Sequence, residues 1–115
     1  MSASVSTRAV EFRSYRLRPG TREDFHRLIT ATVMPMLRGW PMDVVRHGPS
    51  PHDRTSYLLI RAYADLDARQ REQDAFYGSD QWREGPRQAV LDLIEEYLSV
   101  VIEMDTAVVD ALRQE

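Results

Sequence analysis

Apolar and polar residues alternate over residues 9–17. The alternation puts Val10, Phe12, Ser14 and Arg16 on one side of a strand and Glu11, Arg13, Tyr15 and Leu17 on the other. Arg18-Pro19-Gly20 stops it. Thr21, with Asp24 three residues on, reads as a variant capping box, and Phe25, Leu28, Ile29, Thr32, Met36 and Leu37 then recur at helical spacing. Pro35 sits inside that stripe, where its ring and missing N–H predict a kink near Val33 and Met34. Gly39-Trp40-Pro41 ends the helix. A second strand is expected over residues 42–47, followed by a Gly- and Pro-rich hairpin loop. The strongest strand pattern lies at residues 54–63: Ser56, Leu58, Ile60 and Ala62 face one way, and Tyr57, Leu59, Arg61 and Tyr63 face the other. A helix charged on most sides follows over residues 66–77. Ser79 caps a turn through Trp82, and Gly85-Pro86 breaks the chain again. Ala89, Val90, Leu93 and Ile94 form the last helical stripe, residues 97–104 a fourth strand, and Val108, Val109 and Leu112 a closing turn.

The order β-α-β-β-α-β is that of an α+β, ferredoxin-like sandwich. In that topology the first and third strands are neighbours at the centre of the sheet. Arg13-x-Tyr15 on one and Arg61-x-Tyr63 on the other therefore share a face. Helices rest on apolar surface, so Val10, Phe12, Leu58 and Ile60 are expected beneath them. Glu11, Arg13, Tyr15, Tyr57, Leu59, Arg61 and Tyr63 are left for the opposite face, which is too aromatic to stay bare. A second copy of the chain is the expected cover.

Composition narrows the chemistry. At 115 residues the chain makes one domain, expected over residues 9–115 behind a Ser-rich, mobile lead-in at residues 1–8. Cysteine is absent, which excludes disulfides and thiolate chemistry. All 15 basic residues are arginine, so no lysine Schiff base forms. A formal net charge of −3 gives no reason to expect nucleic acid or an anionic membrane surface as partner. No apolar run is long enough for a membrane span or shaped like a signal peptide, so a cytoplasmic location is the default expectation.

The segments "VEFRSYRLRPGTREDFHRLI" and "SYLLIRAYADLDARQREQDAFYGSDQW" resemble the NIPSNAP-like members of the dimeric α+β barrel superfamily. Glu11, Arg13, Tyr15, Leu17, Pro19, Gly20, Tyr57, Leu58 and Trp82 carry the likeness, which covers residues 10–104. Pro51-His52-Asp53 and Gly85-Pro86 depart from the pattern. The resemblance implies a homodimer joined through sheet faces into a barrel, with one cavity per subunit. Relatives of this fold include cofactor-free oxygenases, isomerases, cyclases and dehydratases of small, often aromatic or carbonyl compounds.

Few side chains can do chemistry. His47, at the end of the second strand, is a candidate general base, with Arg61 and Tyr15 as candidates to polarise a substrate oxygen. Arg13 and Tyr63 add donors for a carboxylate or enolate, and Trp40, Phe76, Tyr77 and Trp82 can wall an apolar ligand. His47, His52 and Asp53 are too loosely spaced for a metal site, and no phosphate loop or dinucleotide fingerprint occurs, so neither metal nor cofactor is expected. Two classes remain open: a cofactor-independent enzyme acting on an apolar or aromatic carbonyl compound, and a non-catalytic binding or interaction protein in which the same residues hold a dimer together. A cavity of at least about 300 Å3, with His47 or an Arg-Tyr pair converging on it, favours the first.

Overall fold

In the computed structural model, which describes residues 6–113, β1 (Thr7–Leu17) leads into a helical rod made of α1 (Arg22–Leu28), a π-helical turn (Ile29–Val33) and α2 (Met34–Gly39). Then come β2 (Asp43–Pro49), β3 (Ser56–Tyr63), α3 (Leu66–Tyr77), α4 (Asp80–Arg83), α5 (Arg87–Leu93), β4 (Ile94–Asp105) and α6 (Thr106–Leu112). β1 takes in Thr7 and Arg8, which pattern alone put in the lead-in; residues 1–5 lie outside the described residues.

Local chemistry accounts for most boundaries. Gly20 turns the chain at φ +78°, a conformation that suits glycine. Thr21 does not cap α1; its hydroxyl bonds the Arg18 carbonyl at 2.7 Å and so ties the turn instead. Pro35 lies in the first turn of α2, and the π-helical turn just before it widens the backbone where the proline ring would meet the Ala31 carbonyl. Asp65 caps α3, accepting from the Ala68 amide at 2.7 Å, and Ser79 caps α4 as expected, accepting from the Trp82 amide at 3.2 Å. At Gly85 any Cβ would stand 2.3 Å from the Gln81 carbonyl oxygen, so glycine is required where α4 gives way to α5.

The strands form one antiparallel sheet in the order β2-β3-β1-β4, the ferredoxin-like arrangement. Glu11 stands opposite Arg61 and Tyr15 opposite Tyr57 on β3, while Arg13 faces Ser99 and Tyr15 faces Tyr97 on β4. Among the described residues no helix is long and apolar enough to cross a membrane.

The two faces of this sheet are the reverse of the expectation from apolarity. Tyr15, Leu17, Tyr57, Leu59 and Tyr63 pack with Phe25, Ile29, Val33, Phe76 and Trp82 in the main core, so the chain's own helices cover the arginine and tyrosine face. Glu11, Arg13 and Arg61 are buried there too. The helices bring polar groups of their own: Arg69, Gln73 and Tyr77 descend from α3 at four-residue steps to meet the charges on the strands. A smaller core of Val10, Val45, Ile60, Ala62 and Val109 forms on the other face, under α6. Beyond α6 that face stays open, with Leu98 68%, Val100 52% and Ile102 45% exposed.

Candidate functional site

A single carboxylate organises the helix-covered face. Glu11 has no exposed surface and pairs with three arginines: Arg13 Nη2 at 2.9 Å, Arg61 Nη2 at 3.3 Å and Arg69 Nε at 3.4 Å. The Ser99 hydroxyl donates to Glu11 Oε2 at 2.6 Å while accepting from Arg13 Nε at 3.0 Å. Gln73 Nε2 donates to Glu11 Oε1 and, at 3.0 Å, to the Tyr63 hydroxyl. Burial alone raises the Glu11 pKa, but Arg61, the Ser99 hydrogen bond, Arg13 and Arg69 outweigh it and hold the carboxyl at about 2. Glu11 is therefore ionised at neutral pH and is a poor general base. Its geometry instead fixes Arg13.

The Tyr77 hydroxyl is the second organising group. Its oxygen accepts from Arg61 Nη1 at 2.8 Å and from Arg13 Nη1 at 3.1 Å. With both lone pairs engaged by guanidinium donors, the Tyr77 proton is left to donate to a third partner. Tyr77 lines a cleft of about 340 Å3 between sheet and helices, together with Arg13, Tyr15, Gln73, Trp82, Arg87, Val90, Leu91, Ile94 and Tyr97. Arg13 lies 4.6 Å from the Tyr97 ring centre and 5.6 Å from that of Tyr77, held by aromatic faces as well as by Glu11. Burial pushes the Tyr15 hydroxyl up to about 12, with Tyr77 adding to the rise and Arg13 and Arg61 opposing it, so Tyr15 is a neutral donor. Tyr77, Tyr15 and the uncommitted N–H groups of Arg13 form a set of donors set among Trp82, Val90, Leu91, Ile94 and Tyr97. Larger hollows lie elsewhere, of about 410 Å3 beside Arg8 and Leu66, about 410 Å3 beside His47 and Tyr57, and about 530 Å3 beside Arg38 and Asp43; the second has His47 on its wall, but none gathers a comparable set of arginine and aromatic side chains.

Of the residues singled out by sequence, Arg13, Tyr15, Tyr77 and Trp82 meet in this cleft. Arg61 and Tyr63 do not line it. Both are buried beneath, where Arg61 holds Tyr77 and Tyr63 holds Gln73. Phe76 is core, wedged among Trp40, Tyr77 and Trp82 at ring distances of 5.0 to 5.5 Å. Trp40 lies behind Phe76 and donates to Gln81 Oε1 at 3.2 Å, away from the cleft.

His47 is not part of the cleft. Its Nδ1 lies 3.1 Å from the Tyr57 hydroxyl, and His26 Nδ1 lies 2.6 Å from the same oxygen. One hydroxyl proton serves one imidazole, so the two histidines take complementary roles, one donating and one accepting. Burial, then the charges of His26 and Arg38, hold the His47 pKa below its ordinary value, and burial raises that of Tyr57. Phe25 packs between this cluster and Tyr15, its ring centre 4.9 Å from Tyr57 and 5.4 Å from Tyr15. A proton held by His47 thus has no direct path to a ligand at Arg13. Among the described residues no three His, Asp or Glu side chains gather as metal ligands.

Gln73, Arg87 and Tyr97 are cleft residues that sequence reasoning missed. One signal was present for the first: Arg69, Gln73 and Tyr77 sit at steps of four on a helix with few apolar residues. A helix built that way packs on a face that is itself polar, and β1 offers one.

Comparison with known proteins bears on the fold. The chain is similar to a NIPSNAP-like domain protein from Burkholderia xenovorans, with 18% identity, 86% of this chain and 85% of that one covered, and a TM-score of 0.77. A NIPSNAP family protein of unknown function from Agrobacterium tumefaciens aligns at 17% identity over 91% of this chain and 95% of that one, TM-score 0.79. A putative antibiotic biosynthesis monooxygenase from Nitrosomonas europaea matches at 19% identity over 89% and 93%, TM-score 0.60. No curated protein matches. The NIPSNAP family model matches residues 10–103, nearly the whole of the sheet and its helices, and the chain belongs to the NIPSNAP family.

Proposed function

We propose that the protein is a cofactor-independent enzyme that binds a small apolar or aromatic carbonyl compound in the cleft and stabilises its oxygen as an enolate, lowering the barrier to deprotonation of the adjacent C–H so that its proton passes to solvent water at the cleft mouth. One observation carries this reading: Arg13 and Arg61 both donate to the Tyr77 oxygen, which leaves the Tyr77 proton and spare Arg13 N–H groups for a ligand oxygen. Donors fixed before the ligand arrives need no reorganisation when charge develops, which is what makes such sites effective. Trp82, Tyr97 and Tyr15 supply flat walls for the carbon skeleton. The lack of lysine and of any nucleotide-binding motif supports working without pyridoxal phosphate or a dinucleotide. The Nitrosomonas europaea neighbour named as a putative antibiotic biosynthesis monooxygenase shares this fold, and preorganised donors of this kind stabilise a developing oxyanion.

A second reading, that the cleft binds without turnover, is favoured by a different observation: its lining holds neither histidine nor carboxylate. Under that reading the donors select an oxygen and no proton moves. In both readings the molecule is a homodimer, joined through the open face of Phe12, Leu58, Leu98, Val100 and Ile102, because an apolar strip of that extent is costly to leave in water.

Benzoylacetone, whose enolate absorbs at longer wavelength than its neutral forms, separates these readings. In a Trp40→Phe background Trp82 is the only tryptophan, so its emission reports occupancy. The enzyme reading expects quenching together with growth of the enolate band at a pH where the free compound is neutral, and loss of that band in Tyr77→Phe. Quenching without the band supports binding alone. Neither signal at millimolar concentration overturns both.

A further inference from the structure

Resting on that reading of the cleft, we propose that its ligand carries a carboxylate as well as a carbonyl, and that Arg87 at the mouth of the cleft is the residue that recognises it.

Charge balance makes the first part of the case. Among the described residues Glu11 is the only carboxylate bonded to Arg13, Arg61 and Arg69, so the floor of the site holds an excess of positive charge. The excess stands out in a chain whose formal net charge is −3. No aspartate or glutamate lines the cleft to offset it. Charges lying under low-dielectric aromatic walls focus their potential through the opening, where it attracts an anion.

Arg87 makes the second part. Most arginines here have a carboxylate, carbonyl or hydroxyl partner, but among the described residues no hydrogen bond or ion pair engages Arg87, which is exposed on α5 beside Leu91, Ile94 and Trp82. A guanidinium presents a planar fork that matches a carboxylate. In open water such a pair is weak, but a ligand that fills the cleft displaces the solvent that screens it. Arg13 lies deeper, committed on one side to Glu11 and Ser99 and directed by Tyr77 toward the ligand oxygen. The two arginines thus divide the work. Arg13 and Tyr77 take the carbonyl oxygen, and Arg87 takes the acid.

The test compares 3-benzoylpropanoate with its primary amide, which has the same skeleton and the same ketone but no charge. Calorimetric titration of the wild-type protein is expected to show the acid binding about tenfold or more tightly. Arg87→Gln, at an exposed residue with no partner to lose, should keep its fold by circular dichroism, bring the acid down to the affinity of the amide and leave the amide within about twofold. Arg87→Lys should retain part of the preference, and raised salt should narrow it. If acid and amide bind equally, or if Arg87→Gln weakens both alike, the carboxylate inference is overturned while the cleft reading stands. If neither compound binds at millimolar concentration, both fall.

Discussion

The two faces of the β1-β3-β4 sheet are built on opposite plans. Under the helices a carboxylate, three arginines and the hydroxyls of Tyr63 and Tyr77 form one hydrogen-bonded set, with Glu11 and Arg61 wholly buried. On the other side Phe12, Leu58, Leu98, Val100 and Ile102 make an apolar strip that, among the described residues, no element covers beyond α6. The first face is expensive to bury, because each charge must recover in pair interactions what it loses in hydration. Under the proposed function a ligand uses the donors that this cost holds in place. The second face is mainly apolar, with polar groups such as Ser14, Arg16 and Glu96 gathered toward one end, and suits a second copy of itself. The apolar side of a sheet is therefore not always the side that helices cover.

The contrast can be broken from either side. Glu11→Gln should have the largest effect, because it leaves two buried guanidiniums, Arg13 and Arg61, and the half-buried Arg69 around a neutral amide. A loss of about 3–5 kcal/mol in urea unfolding is expected. The wild-type carboxylate shows the same energy as a pH dependence. Its pKa is about 2 when folded against 4.5 as the ordinary value, so the unfolded chain takes up the proton first. The stabilisation, about 3 kcal/mol, is present in full above pH 4.5 and lost as pH falls toward 2.

On the opposite face, Val100→Glu should leave the monomer's unfolding midpoint nearly unchanged. It should weaken the dimer by roughly a hundredfold, since a two-fold interface buries the substitution twice. Light scattering across a dilution series reads that directly.

The smallest effect belongs to the histidine cluster. The His47 pKa is below 6.5 in the folded protein, so the unfolded chain protonates first there as well. Stability should therefore rise with pH up to about 6.5 and then level off, by an amount that His47→Gln removes. The same variant should bind benzoylacetone in the cleft with unchanged affinity, because Phe25 stands between the two sites.

Most strand and helix positions were legible because they depend on local chemistry; Ile94, expected in the last helix, instead opens β4, which begins three residues before the expected strand. The alternation over residues 9–17 and 54–63, the Arg18-Pro19-Gly20 stop and the Ser79 cap all act within a few residues of where they are written. The face to which the helices dock was not legible from apolarity alone, since Val10, Phe12, Leu58 and Ile60 look better suited to it than Glu11 and Arg13. What decided it was complementarity between distant elements, with Arg69, Gln73 and Tyr77 on α3 matching the charges on β1 and β3. Arg13, Tyr15, Tyr77 and Trp82 were found because aromatic and guanidinium groups mark a site wherever they converge. His47 sits away from them because its residue type suggests proton transfer while only the fold fixes its neighbours. Arg87 gives no signal in sequence, since only the fold shows that no partner engages it among the described residues.

The most direct test of the two-faced arrangement uses the cysteine-free chain to place single nitroxide labels at Leu98→Cys on the open face or Arg71→Cys on α3, and measures the electron dipolar coupling between copies in solution. Strong coupling from position 98 with much weaker coupling from position 71 is the predicted result. Coupling that is stronger from position 71, or a monomer at micromolar concentration, would contradict it.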